Sequence, residues 1–183
     1  MAKILLAAGH YPSSPGAGFE GFFEHDEAAL WVDVVSDLEP DLFAVVPTGD
    51  LKSKARFINA RARPGDVAVE VHFNSAVDAR TGERVGSGCV TLYMPGSERG
   101  EALARTCQGA LASVFQPDRG IDEGWYRGVR ARGPYYFLAK TSCPAVILEP
   151  EFVHRKEVIQ SRRDAACYAL FSALRGHVLG EAT

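Results

Sequence analysis

The sequence predicts an α/β fold of three layers, α/β/α, around a mostly parallel or mixed central sheet. Three observations predict it. Short apolar runs alternate with stretches whose apolar residues recur at helical spacing, the βαβα order of such sheets. Three of the runs end on residues able to do chemistry. The run from Lys3 to Ala8 leads into Gly9-His10, that from Asp66 to Val71 into His72, and that from Ala145 to Leu148 into Glu149. Ligands collect outside the carboxyl ends of strands in open α/β sheets, which gives those positions a purpose. The composition, 46% hydrophobic and 23% charged, is that of an ordinary globular chain. At 183 residues a single domain spanning 1–183 is expected, able to bury about 70% of its unfolded surface.

Taken in order, residues 3–8 read as a buried strand and Tyr11 to Gly21 as a Gly/Pro/Ser-rich loop. A helix is predicted from Asp26 to Leu38, with Leu30, Trp31, Val34, Val35 and Leu38 at helical spacing and Pro40 as a stop. Leu30, Trp31, Val34 and Val35 are assigned to the core. Leu42 to Val46 is a short strand. Asp50 caps a second helix carrying Leu51, Ala55, Ile58 and Ala62, and Pro64-Gly65-Asp66 is a turn. After the strand to His72 and a polar loop, Val90 to Met94 is a strand and Ser97 to Phe115 an amphipathic helix. Residues 116–134 show little periodicity. Tyr135 to Leu138 reads as a short strand, Ala145 to Leu148 as a strong one, and Arg155 to Leu174 as the last helix.

Composition also excludes classes. The net charge of -3 gives no pull toward nucleic acid or anionic lipid. No apolar stretch approaches the ~20 residues of a membrane helix. The five apolar residues after Lys3 are too few for an export-signal core, so synthesis in the cytoplasm without a signal peptide is expected. The cysteines at 89, 107, 143 and 167 form no CxxC pair and read as reduced, mostly buried thiols. The oligomeric state is open, and a monomer is compatible with everything above.

His10 and His72, at two strand ends, can face one metal ion. Glu24 can join them, and Glu149 supplies a second carboxylate. Two His, one Glu and a further Glu form the residue set of a zinc hydrolase. Rivals stand beside both glutamates. Near Glu24 lie His25, Asp26 and Glu27, of which Glu27 suits a helix's first turn and His25 reads as solvent-facing. Glu151 stands two residues from Glu149, so both can share a strand face. Glu70 either holds a ligand histidine or is exposed. His154 and His177 read as surface residues. Asn74 either fixes a ligand, contacts substrate or shapes its turn. The stretch from Trp125 to Arg132 is a candidate substrate rim, in which Arg127 and Arg130 can pair with peptide carboxylates.

Three segments carry a resemblance that covers nearly the whole chain. They are Ala8-Gly9-His10 with Pro15-Gly16-Ala17 and Glu24, then Glu70-Val71-His72-Phe73-Asn74-Ser75, then Pro144 through Phe152. In these the chain resembles the zinc-dependent N-acetylmuramoyl-L-alanine amidases of the Amidase_3 type. Smaller echoes are Arg56, Asn59 and the piece from Gly133 to Leu138. The resemblance implies that His10, Glu24 and His72 are zinc ligands and Glu149 the catalytic acid/base. It implies peptidoglycan as substrate, cut at the amide between the lactyl group of N-acetylmuramic acid and L-alanine. A compact amidase without export signal looks like a phage lysin that reaches the wall after release. Glu151 and Glu70 depart from the pattern, standing where the family usually has Gly and Ser. Two other classes compete: another zinc hydrolase on a related fold, such as a carboxypeptidase or N-formylglutamate deformylase, and a non-catalytic binding module that has kept the fold.

Overall fold

The computed structural model describes residues 2–126 and 130–180. Its centre is a six-stranded mixed sheet in the order β4-β1-β5-β10-β8-β9. The strands are β1 (Ile4–Ala8), β4 (Phe43–Val45), β5 (Val67–Val71), β8 (Cys89–Tyr93), β9 (Pro117–Glu123) and β10 (Ala145–Glu149). Strands β4, β1, β5 and β10 run parallel, while β8 runs antiparallel to β10 and parallel to β9. Two small hairpins join β2 (Gly18–Phe19) to β3 (Phe22–Phe23) and β6 (Ala76–Val77) to β7 (Arg84–Val85). The helices are α1 (Glu24–Asp37), α2 (Leu51–Arg61), α3 (Glu98–Ala112), α4 (Tyr136–Lys140) and α5 (Lys156–Leu179).

The apolar runs are continuous because the sheet is covered on both faces. Ile4, Leu6, Val67, Val69, Val71, Val146 and Leu148 pack with α1, α3 and α5. The alternate residues Leu5, Ala7, Ala68, Ala145 and Ile147 pack the other way, with Ile58 of α2 and Phe137 and Leu138 of α4. That is the expected three-layer arrangement. Asp50 caps α2 by accepting from Ser53 N–H at 2.7 Å, and Ser97 caps α3 by accepting from Gly100 N–H at 3.0 Å. Gly180, at φ 70, ends α5 in the left-handed conformation, beyond the expected Leu174.

Three local expectations fail for physical reasons. Tyr135 to Leu138 is not a strand: β10 already pairs with β5 and β8, and the segment makes one helical turn, with Ala139 N–H donating to Tyr135 C=O. Phe137 and Leu138 bury themselves against the sheet face that α2 covers. The aperiodic stretch after 116 contains β9, an edge strand whose Pro, Asp, Arg and Gly are tolerated because only one side pairs. Leu30 is 46% exposed, not core; the buried face of α1 is Ala28, Trp31, Val32 and Val35.

The α1–α5 seam holds a charge pair. Glu27 accepts from Arg163 Nε at 2.6 Å and Nη2 at 2.7 Å, and from Trp31 Nε1 at 3.1 Å. Arg163→Met is expected to cost about 2–3 kcal/mol, less than a fully buried pair because Arg163 keeps solvent contact. Urea denaturation checks this; an unchanged midpoint would show that the pair contributes nothing.

The cysteines are free, with Cys89, Cys107 and Cys167 buried. Burial pushes the Cys107 and Cys167 thiols up to about 12 and the Cys143 thiol to about 11, which suits packing and not nucleophilic attack. Among the described residues no helix is long and apolar enough to cross a membrane.

Candidate metal centre

The topology decides where the functional side chains meet. β1, β5 and β10 are adjacent and parallel, so their carboxyl ends lie side by side at one edge of the sheet. The chain ends there are stitched together, Gly9 N–H donating to Val71 C=O at 2.7 Å and His72 N–H to Leu148 C=O at 2.8 Å. His10 follows β1, His72 follows β5 and Glu149 closes β10. Glu24 arrives from the side as the first residue of α1.

His10 sits at φ 57, a left-handed conformation that turns the chain sharply off the sheet. Gly9 is required by close approach: a Cβ there would lie 2.6 Å from the His72 ring. Gly16, at φ 80, is required twice over, because a Cβ would strike the His10 ring and the Glu24 carboxylate.

Glu24 is buried and its carboxylate is held on both oxygens. Oε2 accepts from Ala17 N–H at 2.9 Å and Oε1 from Phe73 N–H at 3.2 Å. Its Oε1 lies 2.7 Å from His72 Nδ1 and its Oε2 3.2 Å from His10 Nε2. Burial by itself would raise the Glu24 carboxyl, but the two histidines outweigh it and hold it well below the usual carboxylate range. Burial likewise opposes the His72 imidazolium, and the Glu70 and Glu24 carboxylates overcome it, raising His72 well above its usual value. One ligand atom each from His10, Glu24 and His72 lie within 4.8 Å of one another. Two imidazole nitrogens and a carboxylate oxygen converging this closely form a donor set for a divalent metal.

Glu149 faces the same cavity, a cleft of about 450 Å³ lined also by His10, Glu24, Glu70 and His72. Its Oε2 is buried and has no hydrogen-bond partner among the described residues. Burial pushes its carboxyl up to about 8, with the His72 charge pulling down and the Glu24 charge pushing up. A carboxyl poised near neutrality beside a donor cluster can take and return a proton.

The structure separates the rival glutamates. Glu27 is turned into the seam with Arg163 and Trp31. Glu151 is turned away from the cleft: its Oε1 accepts from Gly88 N–H at 2.7 Å and Phe152 N–H at 2.9 Å, and its Oε2 lies 3.1 Å from Arg155 Nε. The strand stops at Glu149, so the shared face expected of residues two apart does not extend to Glu151. His25 is buried, not solvent-facing; its Nδ1 lies 2.8 Å from Gly9 C=O and secures the turn before His10. His154 and His177 are both partly buried.

Asn74 lines the cleft and also shapes the turn, accepting from Ser75 N–H at 2.8 Å through Oδ1. Arg130 is not brought to the described cleft lining; it is exposed, 5.1 Å over the Trp125 ring and 3.5 Å from Glu123. Arg127 lies outside the described residues. Tyr126, from the expected rim stretch, does line the cleft, while sequence reasoning missed Lys54 and the tyrosines Tyr11, Tyr135 and Tyr136, which line it too. Glu70 belongs with Lys54, Nζ and Oε1 being 2.9 Å apart. The aromatic richness near residue 135 was a signal for the tyrosines; Lys54 carried none, since a lysine on a polar helix reads as solvated.

The family model described as N-acetylmuramoyl-L-alanine amidase matches residues 4–169. Among solved structures, the N-acetylmuramoyl-L-alanine amidase from Clostridium difficile 630 is similar at TM-score 0.78 and 19% identity, covering 99% of both chains. The catalytic domain of CwlV, an amidase from Bacillus (Paenibacillus) polymyxa, is similar at TM-score 0.78 and 19% identity over 100% of both chains. The catalytic domain of the CD27L endolysin targeting Clostridia difficile is similar at TM-score 0.71 and 18% identity, covering 100% of this chain and 99% of that one. Identities this low speak to the fold. Among curated proteins none matches the chain.

Proposed function

The chain belongs to the N-acetylmuramoyl-L-alanine amidase family, enzymes of cell-wall hydrolysis, and from that premise we propose how its own residues perform the reaction. The residues that would hold the metal, which we take to be zinc, are His10, His72 and Glu24, with His10 Nε2 and His72 Nδ1 the imidazole nitrogens on the Glu24 side. The observation that carries this reading is the convergence of those three donors within 4.8 Å in the cleft that Glu149 also faces. Two imidazoles and one carboxylate leave a coordination position for water, as a catalytic zinc site requires. When bound, zinc supplies a Lewis acid that lowers the pKa of its water toward ~7 and polarises the amide carbonyl.

Glu149 is the acid/base. Its carboxylate takes a proton from the attacking water and delivers it to the departing L-alanine amine. Burial raises this carboxyl and the charge of a bound zinc ion would draw it down, which leaves a group able to perform both halves near neutral pH. Ala17 and Phe73 N–H groups hold Glu24 in place, so the ligand cluster is set before substrate arrives. The tyrosines Tyr11, Tyr126, Tyr135 and Tyr136 offer flat faces and hydroxyls to the sugar and peptide around the amide.

The test is the bond cut. Digested peptidoglycan is expected to yield a free lactyl carboxylate and a free L-alanine amine by mass analysis. Release of a terminal amino acid instead would defeat the assignment.

The setting we propose is that of a lysin, made in the cytoplasm and acting on the wall after release. An endolysin catalytic domain has the same fold, which is compatible with that setting. Cells expressing the protein are expected to lyse only once their membrane is permeabilised by other means; lysis without permeabilisation would rule the setting out.

A further inference from the structure

β5 is buried along its whole length, yet its fourth residue is a glutamate. Side chains two apart on a strand share a face, which puts Glu70 on the face of His72. The Glu70 and Lys54 side chains are each 1% exposed, with Nζ 2.9 Å from Oε1. The other carboxylate oxygen, Oε2, is buried and lies 3.2 Å from His72 Nε2. Among the described residues it accepts no aligned hydrogen bond, so the imidazole is the neighbour that answers its charge. Lys54 Nζ also donates to the carbonyl of Ala8, the last residue of β1 and two before His10. One ammonium therefore joins the strand end that carries His10 to the carboxylate beside His72.

Stability does not account for this pair. Two charges buried between a sheet and a helix seldom do better than apolar side chains of the same size. The contact with His72 does account for it. A carboxylate beside Nε2 favours the proton on that nitrogen, fixes the plane of the ring, and leaves the Nδ1 lone pair directed toward Glu24. His72 Nδ1 is indeed the nitrogen on the Glu24 side, 2.7 Å from Oε1.

We propose that Lys54 and Glu70 are positioning residues of the metal centre: Glu70 orients His72 through Nε2, and Lys54 holds Glu70 while anchoring the end of β1 that carries His10. The inference rests on the reading of His72 as a zinc ligand.

The experiment measures zinc affinity of the full chain by competition with a chromogenic chelator, beside the circular dichroism spectrum and thermal midpoint of the metal-free protein. The double variant Lys54→Met/Glu70→Gln removes both charges, so neither is left buried alone. Glu70→Asp keeps the charge and draws the carboxylate back from the ring. Both are expected to keep the wild-type spectrum and to bind zinc about 10–100-fold more weakly. A pair that is merely structural would lower the thermal midpoint and leave zinc affinity where it was. Wild-type zinc affinity in either folded variant overturns the positioning role and leaves the zinc reading intact. His72→Ala keeps the two failures apart: if it binds zinc as tightly as the wild type, or if the wild type binds none, the ligand reading falls and this inference with it.

Discussion

Glu149→Gln is expected to lower peptidoglycan hydrolysis by about 10²–10⁴-fold, the usual contribution of a positioned acid/base, while zinc content stays at the wild-type level. Glutamine keeps the shape and the place at the end of β10 but cannot carry the proton. Loss of zinc together with loss of activity would make Glu149 a ligand instead, and full activity would remove it from the reaction.

The same substitution has a pH signature in the metal-free protein. Burial lifts the folded-state carboxyl from 4.5 to about 8. Between those values the folded chain keeps a proton that the unfolded chain has released, so wild-type stability falls as pH rises through that window. Glu149→Gln removes the group and the fall with it. The variant is expected to melt higher than wild type, the gap opening above about pH 4.5 and reaching its full size near pH 8. Thermal midpoints across that range decide it; parallel curves would mean that Glu149 ionises like an exposed carboxyl.

Removing the metal is expected to abolish hydrolysis and to lower the thermal midpoint, and added zinc to restore both. Zinc that binds the folded chain alone stabilises it by mass action, by about 4 kcal/mol at a thousandfold over its dissociation constant. His10→Ala and His72→Ala should each lose the zinc-dependent rise in midpoint, because each withdraws one of three converging donors. In the metal-free protein the Glu24 carboxylate already has partners, the His72 imidazole with its raised pKa and the Ala17 and Phe73 N–H groups. A folded chain without activity is therefore the expected product of chelation. Activity that survives exhaustive chelation would sink the zinc mechanism.

Legibility of the fold followed burial. β1, β5 and β10 were readable because both faces of each are covered, which writes an unbroken apolar run into the sequence. β9 was not, because an edge strand with exposed residues carries no such run. α4 was not, because a single turn is too short to display a helical period, and its Phe137 and Leu138 look equally like strand residues. Leu30 was misplaced because it lies next to Trp31 in sequence but off the buried stripe of α1.

The candidate site divides in the same way. His10, His72 and Glu149 were visible because strand ends are local events. The fates of neighbouring carboxylates were not, since they depend on partners far away in the chain. Glu27 is claimed by Arg163, 136 residues on, and Glu151 by the Gly88 backbone, 63 residues back. His25 read as exposed because nothing nearby in sequence announces the Gly9 carbonyl it meets.

By itself, then, the sequence determined the three-layer class, the order of the main elements and the residue types gathered at the strand ends. Those follow from hydrophobic periodicity, which each short segment carries within itself. Only the tertiary structure decided which glutamate faces the cleft, which histidine nitrogen faces Glu24, and that Lys54 and Glu70 stand behind His72. A charge is directed by whatever lies within a few ångströms of it, and in this fold those neighbours come from strands and helices distant in the chain.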